Sequence, residues 1–364
     1  MRFFFILLHL TTTTAASLEL GNVLGVMELV ADYQLRHPSP RAWTEWVQSS
    51  FLLGLAALSG VSHRYREVLL TIAQGNKFLL GPRVYHADDM LIGSVYFELW
   101  NSSSPRRRDL VDSLSERCDY VLANPPKGES LEFKGKHRTD HWTWCDSLFM
   151  APPAWLQLYS VTKMKSLRDY AVTQWWQTSE FLYEPKELLY YRDSSYFGKR
   201  ERNGKKVFWS RGNGWVLAGL ARLLEVLPID DPARPRFVAH FKVLATRIRE
   251  LQNEESGGWS SSLLDPTSCS PPFESSGMAF FTFAFAWGVN QGLLDSDIFA
   301  PAARKAWKTL TGTYIHQESG RVVNVQPIGA APELFDPNST EPYGVGGVLL
   351  AGRQMLNLGL GSSS

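Results

Sequence analysis

What is scarce in this sequence narrows the possibilities first. Cysteine is nearly absent, with Cys118, Cys145 and Cys269 the sole examples in 364 residues. Their scattered spacing fits no zinc or iron–sulfur pattern and no other ligand cluster is visible, so no metal and no cofactor is expected. The odd count leaves at least one thiol unpaired within the chain. An excess of either charge is also missing, since 37 Lys+Arg stand against 36 Asp+Glu. That balance excludes a general nucleic-acid or polyanion binder. There is no Gly-x-Ser-x-Gly elbow, no Gly-x-x-x-x-Gly-Lys-Ser/Thr phosphate loop and no His-Glu-x-x-His, which sets aside the commonest hydrolase, NTPase and metalloprotease signatures. No segment is long and apolar enough to span a bilayer. The run Phe3 to Leu10 follows Met1-Arg2 and leads into Thr14-Ala15-Ala16, which reads as a secretory signal peptide over residues 1–16. Export to the periplasm or the exterior follows, with no membrane association once the peptide is removed. Residues 17–364 form one domain, because no linker divides them. No feature of the sequence specifies an oligomeric state.

Apolar and aromatic residues, by contrast, are plentiful. The hydrophobic fraction is 44%, and there are 13 Trp, 13 Tyr and 20 Phe. Aromatic faces serve as platforms for sugar rings and also fill ordinary cores. Their spacing is mostly helical. From Trp144 the apolar positions fall at Leu148, Ala151, Trp155, Leu158 and Thr162, one continuous helix face. From Trp215 they fall at Leu217, Leu220, Leu224 and Leu227. Met278 to Gly288 is apolar all round, as in a helix buried on every side. Asp88–Trp100, Arg107–Ala123, Ser166–Leu182, Pro235–Gln252 and Ala302–Tyr314 read as further helices. Turn-rich stretches lie between them at Asn124–Lys136, Asp193–Lys206, Asn253–Ser276 and Ile328–Tyr343. About a dozen helices without a linker predict an all-α double ring, with inner helices apolar all round and outer ones amphipathic.

Four segments stand apart from this patterning. In Trp144-Cys145-Asp146-Ser147 one carboxylate lies among aromatic and sulfur-bearing neighbours where an apolar run begins. Partial burial among rings keeps a proton on a carboxyl group to higher pH, which makes a general acid of Asp. Asp is equally a favoured helix N-cap. His137, His141, Trp142 and Trp144 give it polar partners and flat faces. In Tyr85-His86-Ala87-Asp88-Asp89-Met90 the adjacent acids are either a helix entrance or site residues. In Trp209-Ser210-Arg211-Gly212-Asn213-Gly214-Trp215 two Trp bracket an Arg, either as a turn feeding a core helix or as a carboxylate-binding fork beside a stacking face. Pro272-Phe273-Glu274-Ser275 offers Glu274 as a second acid or as a charge at a helix entrance. The basic loop Gly198–Lys206 reads as solvated, with an acidic glycan as the other possible partner.

Taken in order, Trp144–Ala151, Trp209–Leu220, Ser262–Pro266, Glu274–Phe281 and Trp287–Leu294 resemble the unsaturated glucuronyl and rhamnogalacturonyl hydrolases of glycoside hydrolase family 105. The resemblance runs from Trp43 to the C-terminus. It implies an (α/α)6 barrel with its site at one end of the inner helices. The implied substrates are lyase-generated oligosaccharides ending in a 4,5-unsaturated uronic acid, and the implied chemistry is hydration of the C4=C5 bond. By position, Asp146 matches the family's general acid and base and Asp88 its second acidic residue, with Asp89 beside it. Arg211 and Trp215 match substrate-binding positions, Trp144 offers a further face, and His137 or His141 matches a histidine that some members place before the acid. The chain departs at Tyr190-Tyr191-Arg192-Asp193, where many rhamnogalacturonyl members carry His-x-Trp-Asp. That departure points away from rhamnogalacturonan and leaves room for another lyase product. The competing readings are a polysaccharide lyase on a similar toroid, which would need a Tyr or His base, and a glycan-binding barrel without turnover, against which Asp88 and Asp146 argue.

Overall fold

A computed structural model describes residues 23–269 and 273–360. The expected signal peptide over 1–16 lies outside the described residues, as does Pro272. Helix α1 covers 23–36. It is followed by α2 (Trp46–Ser59), α3 (Arg64–Gly75), α4 (Leu91–Asn101), α5 (Asp112–Ala123), α6 (Ser147–Met150), α7 (Pro152–Thr162), α8 (Lys165–Leu182), α9 (Ser210–Val226), α10 (Arg234–Glu250), α11 (Ser275–Asn290), α12 (Ser296–Thr313) and α13 (Pro342–Leu360). One two-stranded ladder, β1 (Tyr183–Glu184) with β2 (Leu189–Tyr190), is antiparallel. No described helix is long and apolar enough to cross a membrane.

The helices alternate between two rings. α2 packs on α4, α4 on α7, the α6–α7 pair on α9, α9 on α11, α11 on α13, and α13 back on α2. The helices α1, α3, α5, α8, α10 and α12 lie outside. This is the expected (α/α)6 barrel. Composition separates the two sets. In α9 and α11 nearly every residue is buried, Ser210 to Leu224 and Ser275 to Gly288. In α3 only Tyr65, Leu69 and Ala73 are buried, and in α10 only five residues along one stripe.

One expected element is broken. The single helix from Trp144 to Thr162 is two helices, α6 and α7. Pro152 and Pro153 lack the N–H that would continue α6 past Ala151. The carbonyl of Leu148 thereby loses its helical partner. At Gly219 the backbone of α9 comes up against it, and a Cβ there would lie 2.6 Å from that oxygen. The ring closes in a similar way. A Cβ on Gly54 of α2 would sit 2.5 Å from the carbonyl oxygen of Gly346 on α13, and one on Gly346 would overlap the Ser50 carbonyl.

All six inner positions begin at the same end. Trp209 and Arg211 at the start of α9, Glu274 before α11 and Tyr343 in α13 all bond to Gln326. Trp46 at the start of α2 stacks on Tyr343, with ring centroids 5.2 Å apart. The turn Ala87–Met90 before α4 packs on α6. At the opposite end the helix termini surround a cavity of about 560 Å³ lined by Glu98, Gln157, Arg222, Glu225 and Arg353.

Candidate active site

The converging helix starts set the local field. Inner helix N-termini point their positive dipole ends toward this face, which favours an anionic ligand. Two carboxylates stand there. Asp146 occupies the N-cap position of α6, where its side chain makes no capping bond. It accepts a 3.2 Å hydrogen bond from the Cys145 thiol. Burial pushes its carboxyl pKa up, while Arg192, the Cys145 bond and Arg211 hold it back. Asp88, in the turn before α4, is pushed up to about 7, again chiefly by burial, with Arg83 opposing and the charges of Asp146 and Asp89 adding to the rise. Both groups therefore hold their protons to higher pH than an ordinary Asp, and the charge of Asp146 is one of the causes at Asp88.

His86 joins them. Burial, helped by Arg83, pushes its pKa down to about 4, so the ring is neutral near pH 7. Its Nδ1 accepts the backbone N–H of Asp88 at 3.3 Å, which leaves the proton on Nε2. Trp144 packs on His86, with centroids 4.8 Å apart, and faces Phe133 at 6.5 Å. The thiols of Cys118, Cys145 and Cys269 are all free and buried.

The other expected site residues are distributed differently. Asp89 is 2% exposed. Its two oxygens are taken up by Arg83, through Nη2 at 2.6 Å and the backbone N–H at 2.6 Å. It is an anchor beneath the site, because the chain at Gly81 passes too close for a side chain to fit between. Arg211 is buried and already committed. Its Nη1 and Nη2 donate to the carbonyls of Gln326 and Pro327 at 2.5 and 2.8 Å, and its guanidinium lies between Trp209 and Tyr343. It braces the 326–327 loop against α9 and offers its charge, but not its fork, to Asp146. Trp215 lies in the ring core against Phe149 and Phe280, at 4.6 and 4.1 Å, with 1% exposure. His137 is exposed and paired with Asp140 at 2.8 Å. His141 reaches the Lys127 carbonyl in a surface cleft that also involves Gln174 and Phe181. Neither histidine hydrogen-bonds to Asp146 or Asp88. Glu274 is a helix cap, with its carboxylate accepting from the N–H groups of Ser276 and Gly277.

Three contributors were not singled out by the sequence reading. Arg192 supplies the strongest positive charge acting on Asp146. Gln326 ties three inner helices together from a loop of unremarkable composition. His86 was visible only as a neighbour of the acids. Among the described residues, no three His, Cys, Asp or Glu side chains gather as a metal would require.

Comparison with known proteins places this geometry. The family model described as Glycosyl Hydrolase Family 88 matches residues 26–358. An "Unsaturated 3S-rhamnoglycuronyl hydrolase" of Formosa agariphila is 38% identical over 338 residues, covering 90% of this chain and 88% of the relative. One of the same description from Alteromonas sp. (strain LOR) is 35% identical over 324 residues, covering 85% and 77%. A solved structure described as a polysaccharide lyase is 29% identical, with a TM-score of 0.83, covering 95% of this chain and 99% of that one.

Proposed function

The chain belongs to Glycosyl Hydrolase Family 88 and is a glycoside hydrolase acting on an unsaturated uronic acid, and from that premise we propose that Asp146 performs the chemistry with Asp88 at its side. Protonated Asp146 gives its proton to C4 of the C4=C5 bond. The cation that forms at C5 is stabilised by the ring oxygen. Water adds to C5 and surrenders a proton to the Asp146 carboxylate, which restores the acid. The hemiketal then opens, and the glycosidic bond breaks to release the aglycone alcohol. One residue serves as acid and then as base, so the two-carboxylate separation rule of ordinary glycosidases does not govern this site.

The observation that carries the reading is the pair of partly buried carboxylates with raised pKa values at the positive ends of the inner helices. A carboxyl group that holds its proton to higher pH than an ordinary Asp is what the first step requires. Asp88 binds the sugar and orients the reacting groups. His86, neutral with its Nε2 protonated, stands beside it as a hydrogen-bond donor.

For the aglycone we propose rhamnose sulfated at O3. The support is the shared description of the two relatives at 35% and 38% identity. The departure from His-x-Trp-Asp at Tyr190–Asp193 accords with it. The test is a panel of lyase-generated unsaturated oligosaccharides, sulfated and unsulfated. Turnover must remove the ultraviolet absorbance of the conjugated uronate, fastest on the sulfated rhamnose product. An increase in that absorbance on an intact polysaccharide would make the enzyme a lyase instead.

A further inference from the structure

Three arginines place charge on the Asp88–Asp146 pair, and two of them are already engaged. Arg83 is held by Asp89. Arg211 is held by the 326–327 backbone through both Nη1 and Nη2, so that its Nε, also unpartnered, has no free neighbour with which to form a fork. Arg192 differs. It follows β2 in a segment pinned to the acid's own loop, where the Cys145 N–H donates to the Arg192 carbonyl at 2.8 Å and Trp144 bridges to Asp193. Its Nη1 donates to Asp193 Oδ2 at 2.6 Å. Asp193 is itself fixed, being 1% exposed with its other oxygen accepting from Ser195. The guanidinium lies on the Phe133 ring, 4.5 Å from its centroid. Nε is buried without any partner, and Nη2 bonds to none of the described residues. One whole edge of the fork, Nε with Nη2, is thus left open while the remaining nitrogen and one face are locked.

We infer that this edge of Arg192 is the receptor for the carboxylate of the unsaturated uronate, held bidentately beside Asp146. The inference rests on the proposed reaction and assigns its specificity to a residue. A planar carboxylate fits two parallel N–H donors. In the substrate that carboxylate is attached to C5, next to the carbon that Asp146 protonates. A cation neighbouring Asp146 therefore meets the uronate carboxylate before any sulfate on the far side of the glycosidic bond. A neutral group would leave a buried guanidinium edge half-satisfied, and that penalty discriminates against neutral analogues. The cationic side chain stands in the stretch where many rhamnogalacturonyl members carry His-x-Trp-Asp.

The experiment compares wild type, Arg192→Gln and Arg192→Lys on an unsaturated uronide, its uronate methyl ester, and the same pair with a sulfated aglycone. Wild type should prefer the free acid to the ester. Arg192→Gln should lose about a hundredfold in kcat/KM on both free acids, little on both esters, and so lose the preference. Arg192→Lys should regain part of it. The basic limb of the pH profile should move to higher pH in Arg192→Gln, because the cation favouring ionised Asp146 is gone. Equal losses on acid and ester, with no movement of that limb, would mean a merely structural role and overturn the inference. A loss confined to sulfated substrates would assign the edge to sulfate and overturn it too. Calorimetric binding of the free acid to Asp146→Asn, with and without Arg192→Gln, reads the contact without turnover. A wild type inactive on every unsaturated uronide would sink the proposed reaction, and that binding difference would still decide the carboxylate contact.

Discussion

Replacing Asp88 with Asn should stabilise the protein above neutral pH while it damages turnover. Asp88 is largely sheltered, and its carboxyl is pushed from an ordinary 3.8 up to about 7, chiefly by burial. Folding therefore raises its proton affinity. The stabilising contribution of the protonated form is complete below pH 3.8 and drains away as the pH climbs to about 7. Each pH unit in that window is worth about 1.4 kcal/mol, so the folded state surrenders roughly 4 kcal/mol to keep an ionised Asp88 in place at pH 8. Asn resembles the protonated acid in shape and cannot ionise. Urea unfolding across pH 4 to 8 should show wild type and Asp88→Asn nearly equal at about pH 4, then diverging until the variant leads by up to roughly 4 kcal/mol. Turnover should fall over the same range, an exchange of activity for stability common at sites held under strain. A difference between the two proteins that stays constant with pH, or a variant less stable at pH 8, would refute the assignment of a buried, proton-retaining Asp88.

Asp146→Asn should cut turnover by at least a hundredfold and up to about ten-thousandfold, with oligosaccharide binding kept when measured by calorimetry; normal turnover would remove the proposed acid. Arg211→Ala should strand the carbonyls of Gln326 and Pro327 and cost about 2 to 4 kcal/mol, seen as a lower Tm, whereas an unchanged Tm with a raised KM would restore a direct substrate role. Gly346→Ala should drive a methyl group into the Ser50 carbonyl, where only backbone is present to yield, so that Tm and activity fall together; a neutral outcome would mean that α2 and α13 are looser than described. Prolonged dialysis against a chelator should leave turnover unchanged, with restoration by an added metal as the contrary result.

Much of the architecture was legible because the inner helices are apolar on every side, a pattern that only enclosure explains. Met278 to Gly288 is the clearest case, and it lies wholly within α11. The break at Ala151 was legible too, since Pro152-Pro153 announces it, but the regular spacing from Trp144 to Thr162 obscured the signal. The candidate acids could be picked out because each carboxylate stands at the head of an apolar run, although that place suits a helix cap as well. What each neighbour does was not. Arg211 between two tryptophans looks the same in sequence whether its fork meets a sugar or the carbonyls of a loop more than a hundred residues away. Asp88 and Asp89 are adjacent letters, yet Arg83 grips Asp89 at 2.6 Å and reaches Asp88 only at 3.8 Å, where the charge of Asp146 is also felt. Arg192 stands in sequence only as part of a departure from a pattern, and its significance depends on which of its nitrogens is unoccupied, a property of three dimensions.

The contact between Gly54 and Gly346 joins the first inner helix to the last. Both ends of the chain must therefore be in place before the circle exists, because α13 lies between α11 and α2 and touches each of them. A bulge of one methyl group at either glycine would be felt along that whole seam, far from the carboxylates at Asp88 and Asp146.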